Sequence, residues 1–262
     1  MMPPMEINLL VVGVGNSRLH VAAFVGGELQ HVRHLAHAQR ADWPSLLAEI
    51  WAEISNAGNA EVAGCCVVPG LLAPVGDAIR EATGQDVQWV GTEIPLPIAV
   101  TTKEPKKTGV DRALVTAAAY EQLRKACVVV DAGTALTVNL CNNEGALGGG
   151  AIAPGASAML ESLSAKAAQL PDVAFVAPET EFGTDTVDAM RHGVVGALRG
   201  LVQSMAERWA EKMGTWPEVI ATGGDAAALF DGWEVVHAIS PDLLMYGIAL
   251  AYTEDKLKRD EA

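Results

Sequence analysis

Residues Val11–His20 read VVGVGNSRLH, an apolar run that stops on Gly-Val-Gly-Asn-Ser-Arg. Glycines directly after a buried strand let a phosphate lie against the backbone. The element after these glycines decides the fold: a helix makes a dinucleotide-binding unit, whereas a second strand makes the hairpin of a different ATP-binding architecture. The dinucleotide fingerprint needs a third glycine three residues after the second, opening a helix. Arg18 stands at that place, and residues 19–30, LHVAAFVGGELQ, alternate like strand. The phosphate loop G-x-x-x-x-G-K-[ST] occurs nowhere in the chain. The hairpin reading survives.

The same pattern returns after an alanine-rich helix predicted over GVDRALVTAAAYEQLRK. ACVVVDAGTALTVNL again gives buried strand, glycine turn and second strand. Placing Gly15 on Gly133 pairs VVGVGNS with VVDAGTA at a constant offset of 118, and sets Gly13 opposite Asp131. Between the copies the chain alternates. SLLAEIWAEIS carries Leu47, Ile50, Trp51 and Ile54 on one helical face, EVAGCCVV is a buried strand, and LAPVGDAIREATG is a helix stopped at Gly84. Further helices are predicted over ASAMLESLSAKAAQL, over 186–213 and from near Pro241, with the strand EVIATGG before the last. Two halves opening on the same hairpin predict a duplicated α/β unit with a nucleotide held in the cleft between them.

Composition excludes several alternatives. Among 262 residues, 32 acids against 18 bases give a net charge of −14, which repels nucleic acid and anionic lipid. No apolar run approaches the ~18–20 residues of a membrane span. The N-terminal MMPPMEINLL has no basic leader and is read as carrying no signal peptide. Cys65, Cys66, Cys127 and Cys141 lack C-x-x-C spacing and are read as buried thiols in a reducing cytoplasm. His31, His34 and His37 lie in a segment read as strand, where His34 faces away from the other two, so a metal site there is not expected.

Eight motifs in order then carry a resemblance. They are VGNSR, TGVDR at 108–112, VVVDAGTALT, LGGGAIAPG at 147–155, AAQLP at 167–171, GTDTVDAM at 183–190, IATGG at 220–224 and PDLLMYG at 241–247. Along nearly its whole length the chain resembles the type III pantothenate kinases of the actin/sugar-kinase/Hsp70 ATPase superfamily. The resemblance implies two similar RNase H-like domains, placed here at 1–112 and 113–262. It implies transfer of the ATP γ-phosphate to the 4′-hydroxyl of pantothenate, the first step toward coenzyme A. It also implies a cytoplasmic homodimer using Mg²⁺ and a monovalent cation, K⁺ or NH4⁺.

By the same resemblance, Asp111 is the general base, and Gly109, Val110 and Arg112 hold the substrate with Thr186 of the partner subunit. The residue types suit those roles: a carboxylate accepts a hydroxyl proton and Arg pairs bidentately with a carboxylate. Asp111 also suits a helix N-terminus electrostatically, and Thr186 also suits an N-cap. Gly13, Val14, Gly15, Asn16, Ser17, Arg18 and Thr134 are assigned to ATP, and Asp131 to the metal. Gly148 to Gly155 are read as pocket lining, and Lys103, Lys106 and Lys107 as either steering or solvated charges.

Two departures stand out. The family's first hairpin reads D-x-G-N-[TS], with an acid that helps to position Mg²⁺; here Gly13 replaces it. The loop before G-V-D-R also lacks the family's substrate-facing tyrosine, offering only Thr101 and Thr102. The alternative left open by these losses is a non-catalytic relative that binds nucleotide or pantothenate and acts through a protein partner.

Overall fold

The computed structural model describes residues 7–56 and 58–261. The segment MMPPME, expected to be free of a leader, lies outside the described residues. By compactness the chain divides into two units: Met1–Val100, Glu104–Gln122 and Asp242–Ala262 in the first, Thr101–Lys103 and Leu123–Pro241 in the second.

The first unit opens with β1 (Asn8–Val14), β2 (Arg18–Val25) and β3 (Glu28–Ala36), followed by α1 (Trp43–Ser55), β4 (Ala60–Cys66), α2 (Leu72–Thr83) and β5 (Gln88–Trp89). Their sheet runs in the order β3-β2-β1-β4-β5. β1–β2 and β2–β3 pair antiparallel, while β4 joins β1, and β5 joins β4, in parallel. Both faces of β1 are covered, which is why its sequence is a continuous apolar run rather than an alternation. Leu10 and Val12 cluster with Leu47, Ile54, Val75 and Ile79 of α1 and α2. Leu9 and Val11 point the other way, toward Leu114, Met245 and Ile248. α2 stops where Gly84 takes a left-handed conformation that closes its last turn.

β6 (Ala99–Val100) and α3 (Val110–Leu123) come next, and then the second copy of the pattern: β7 (Cys127–Ala132), β8 (Ala135–Cys141), β9 (Ala146–Pro154), α4 (Ala156–Lys166), α5 (Thr186–Met213), β10 (Glu218–Thr222), α6 (Ala226–Phe230) and β11 (Ala238–Ile239). Within the second unit the sheet runs β11-β10-β7-β8-β9. β7–β8 and β8–β9 are antiparallel, and β10 lies parallel to β7. Val128 and Val130 pack with Leu160 of α4 and Val194, Leu198 and Trp209 of α5. The chain ends with α7 (Leu243–Asp260).

Two expectations change. The boundary placed at 112 falls inside α3, and both α3 and α7 group with the first unit. The reason is apolar: Leu114, Met245 and Ile248 complete the second face of the first sheet. The glycine-rich run LGGGAIAPG, for which no element was predicted, lies in strand β9 up to Pro154, with Gly155 just beyond it. Glycine's low β-propensity hid it, and pairing with β8 on one side overrides that propensity. Finally, the predicted helix 156–170 stops at Lys166.

Candidate active site

Strand register settles the choice between helix and hairpin. β1 and β2 form a hairpin closed by the Gly15 amide donating to the Arg18 carbonyl at 3.0 Å. Asn16 and Ser17 are exposed at its tip. In the second unit, the Gly133 amide donates to the Ala135 carbonyl at 3.1 Å, with Thr134 exposed at the tip. Val14 pairs with Leu19 and Ala132 with Leu136. The offset between copies is therefore 118 before the turn and 117 after it. The first turn holds one residue more, and Ser17, not Asn16, is the counterpart of Thr134. A constant offset of 118 had set Ser17 against Ala135.

A second pair of hydrogen bonds fixes this equivalence. The His37 amide, just after β3, donates to the Ser17 carbonyl at 3.1 Å. The Gly155 amide, just after β9, donates to the Thr134 carbonyl at 3.0 Å. A Cβ at position 155 would overlap the Gly133 carbonyl oxygen and lie 2.8 Å from that of Thr134. Gly155 is thus required by the close approach of two backbones, and it braces the second hairpin directly.

Asp131 sits on β7 between Thr137 of β8 and Thr222 of β10. The next residue on β10 is Gly223, at φ +96°, where a Cβ would come within 2.5 Å of the Asp131 Oδ1. The second unit therefore makes room for its carboxylate with a glycine. Gly13, the counterpart of Asp131, pairs with His20 and Cys65. The residue after Cys65 is Cys66, which carries a side chain where the second unit has glycine. A Cβ on Gly13 would meet Leu244 Cδ2 at 3.0 Å and Met245 Cε at 3.1 Å. The volume an acid would enter at position 13 is apolar and already taken.

Asp111 and Arg112 open α3. The Arg112 amide donates to Asp111 Oδ1 at 2.8 Å. A Cβ at Gly109 would lie 2.5 Å from that same oxygen, so Gly109 lets the carboxylate fold back over the helix start. Burial pushes the Asp111 carboxyl above its ordinary range, opposed by the Arg112 amide and guanidinium. The charge of Asp111 in turn helps burial to push the Cys65 thiol up. The base candidate is therefore within electrostatic reach of the strand beside Gly13, inside one unit. A cavity of about 610 Å³ opens alongside, walled by Thr92, Ile94, Leu96, Ile98, Thr108 and Val110 among others.

Thr186 is exposed at the start of α5, but it is not the cap. Asp185 is the N-cap, its Oδ1 accepting from the Asp188 amide at 2.8 Å. Thr101 does not stand in for the absent tyrosine, because its backbone amide and hydroxyl both bond the Leu147 carbonyl. Lys107 pairs with Glu104 at 2.6 Å on the surface, and Lys106 lines the cavity. Three residues that shape the hairpins, His37 and Gly155 by bracing the turns and Gly223 by clearing space for Asp131, are given no such role by the sequence. Gly155 and Gly223 lie within LGGGAIAPG and IATGG, so their motifs were visible. Nothing local marks His37.

Among the described residues no group of three or more His, Cys, Asp or Glu side chains is arranged to hold a metal ion. The donor set fits a metal that takes one carboxylate, Asp131, with its remaining ligands from elsewhere; it does not fit a carboxylate at position 13.

Comparison with known proteins supplies the family. A family model described as type III pantothenate kinase matches residues 9–208. A type III pantothenate kinase of Dehalococcoides mccartyi is 30% identical over 253 residues, covering 95% of this chain and 98% of that protein. Another, of Syntrophus aciditrophicus, is 30% identical over 249 residues, covering 93% and 98%. Among solved structures, a Campylobacter jejuni protein described as of the Baf transcriptional-activator family has a TM-score of 0.61 at 20% identity, covering 95% of this chain and 99% of that one. The actin-like MreB5 of Spiroplasma citri bound to ADP has a TM-score of 0.55 at 10% identity, covering 99% and 100%. These likenesses show the actin-like ATPase fold. With the family model spanning most of its length and its own G-V-D-R and paired hairpins in place, the chain belongs to the type III pantothenate kinase family.

Proposed function

We propose that the protein transfers the γ-phosphate of ATP to the 4′-hydroxyl of pantothenate, the first step of coenzyme A biosynthesis. One observation carries the reading beyond family membership. A desolvated carboxylate, Asp111, lies in the same unit as a phosphate hairpin and acts on the strand next to it. Its raised affinity for protons suits a base that must take a hydroxyl proton near neutral pH.

In this reading the acceptor oxygen forms a bond to the γ-phosphorus as the bond to the β-γ bridging oxygen breaks, and its proton passes to Asp111. Arg112, half-buried beside Asp111, pairs with the pantothenate carboxylate. Gly109 and Val110 shape the approach, and Thr186 of the partner subunit reaches the same substrate. The exposed tips, Gly15 to Arg18 and Thr134, face the phosphates of ATP. Asp131 is the protein's one carboxylate for the cations, Mg²⁺ or a monovalent K⁺ or NH4⁺. Those ions would neutralise charge on the transferring phosphoryl group.

The chain acts as a cytoplasmic homodimer in this reading. Of the apolar positions of α5, Met190, Val194, Leu198 and Val202 are buried in the core, while Val187, Leu201 and Met205 are only partly buried and are the ones this helix offers to a two-fold interface. Ile152, Leu163, Val176 and Phe182 of the second unit also remain exposed. The comparisons give the non-catalytic alternative no support.

The experiment is ATP consumption with and without pantothenate, with 4′-phosphopantothenate identified by mass. Pantothenate-dependent turnover is expected. Turnover with no dependence on pantothenate, or ATP binding without turnover, would reject the acceptor or the activity respectively.

A further inference from the structure

His37 begins where the strand ELQHVRHLA ends, on the first residue after β3. Its backbone amide binds the Ser17 carbonyl, and its ring bonds the same hairpin a second time. His37 Nε2 lies 2.8 Å from the Gly15 carbonyl oxygen. A carbonyl only accepts, so the proton of this contact is on Nε2. The other ring nitrogen, Nδ1, is buried without a partner, so the Gly15 carbonyl takes the ring's one hydrogen bond. Trp43, fully buried, packs edge-on against the imidazole with centroids 5.8 Å apart and holds it in place.

A planar trans peptide points its N–H opposite to its C=O. No peptide bond among the described residues is cis. Pinning the Gly15 carbonyl toward His37 therefore turns the Asn16 N–H away from the ring, on the exposed tip of the hairpin. In the second unit the same place after the third strand is Gly155, whose backbone packs straight onto the turn and needs no side chain. The first turn has an extra residue to control, and a side chain does it.

We infer that His37 is a positioning residue for the nucleotide: by holding the Gly15 carbonyl it aims the Asn16 amide at a phosphate of ATP. The inference deepens the reading of the hairpins as phosphate-facing elements and rests on it. The test compares His37→Phe, which keeps the ring and loses the donor, with His37→Gln, which keeps an N–H at the reach of Nε2. ADP binding is read by calorimetry, with steady-state kinetics alongside. Losing one hydrogen bond's worth of pre-organisation should weaken ADP binding and raise KM for ATP by about tenfold in Phe. KM for pantothenate should not move, and Gln should recover most of the loss.

Wild-type ADP affinity in His37→Phe, a fall in kcat with KM for ATP unchanged, or Gln no better than Phe would overturn the inference. In the unmodified protein, ADP should shift the Asn16 amide resonance and slow its exchange. An unmoved Asn16 amide at saturating ADP overturns it whether or not the variants fold. ADP binding needs no acceptor, so a protein that engages ADP through Asn16 but leaves pantothenate untouched keeps this inference and loses the acceptor assignment.

Discussion

The two glycine hairpins share one shape and reach it by opposite means. In the second, an acid is built into the strand and glycines are cleared around it: Gly223 opposite the carboxylate of Asp131, and Gly155 against the turn. In the first there is no acid at position 13, the equivalent of Gly223 is Cys66, and the space is filled by Leu244 and Met245. Its turn is one residue longer and is braced by an imidazole in addition to the backbone amide that braces both turns. The difference teaches that a carboxylate at a hairpin base is a property of a neighbourhood. Small residues must surround it, and the first unit has neither that surround nor the acid.

The largest expected effect breaks the second hairpin. Gly155→Ala places a methyl group on the Gly133 and Thr134 carbonyls, where neighbouring backbone cannot yield. It should cost ~3 kcal/mol of stability and remove measurable ATP binding, read by denaturant melts and calorimetry. A stable, ATP-binding variant would mean that the close approach is not needed.

Asp111→Asn asks whether proton chemistry belongs to the first hairpin's unit alone. Turnover should fall at least ~10²-fold while ADP still binds, because the amide cannot accept the hydroxyl proton. Near-normal turnover removes Asp111 from the mechanism.

His20 provides a pH test of the same neighbourhood, since its counterpart Thr137 does not titrate. Burial first, and then the charges of His34, Arg18 and His37, lower its pKa from 6.5 to about 4. Between those values the unfolded chain binds a proton that the folded chain refuses. Stability should therefore fall as pH drops from 6.5 toward about 4 and level off below, by on the order of 3 kcal/mol from this group. His20→Gln should flatten that part of the profile. An unchanged slope in the variant would assign the acid sensitivity elsewhere.

Gly13→Asp attempts to give the first hairpin the second one's acid. Because its Cβ meets Leu244 and Met245, the substitution alone should destabilise by ~1–2 kcal/mol and leave the Mg²⁺ requirement unchanged. Adding Leu244→Ala should lower the Mg²⁺ concentration for half-maximal activity. If the single change already lowers it, the apolar filling is softer than its packing implies. The smallest effect sharpens the register. Ser17→Ala and Thr134→Ala should each weaken ATP binding ~3–10-fold, and Asn16→Ala less, since its contribution is the backbone amide. Equal losses from Asn16 and Ser17 would mean that the Ser17 hydroxyl does not share the role of the Thr134 hydroxyl.

Much of this was legible in the chain. VVGVGNSRLH excluded the dinucleotide fold because one glycine was missing and a strand pattern came after it. The repeat VVDAGTA identified Gly13 as the odd position from spacing alone. The motif G-V-D-R named the acid that burial then singles out. β9 was not legible, because three successive glycines carry no strand signal until a neighbouring strand pairs with them. Nor was the fate of α5's apolar stripe, since periodicity shows that a face is apolar but not what will cover it.

The sequence by itself determined the local grammar: which segments are strand, where the turns fall, which half carries an acid, and the family to which that order of motifs belongs. Those are short-range matters of periodicity, glycine placement and spacing. Only the tertiary structure decided that the first turn is one residue longer and that Ser17 answers Thr134. It alone placed α3 and α7 with the first unit, and set His37 where the second unit has Gly155. These facts depend on hydrogen bonds and packing between residues distant in the chain, whose partners are chosen by which apolar faces meet once the strands have paired.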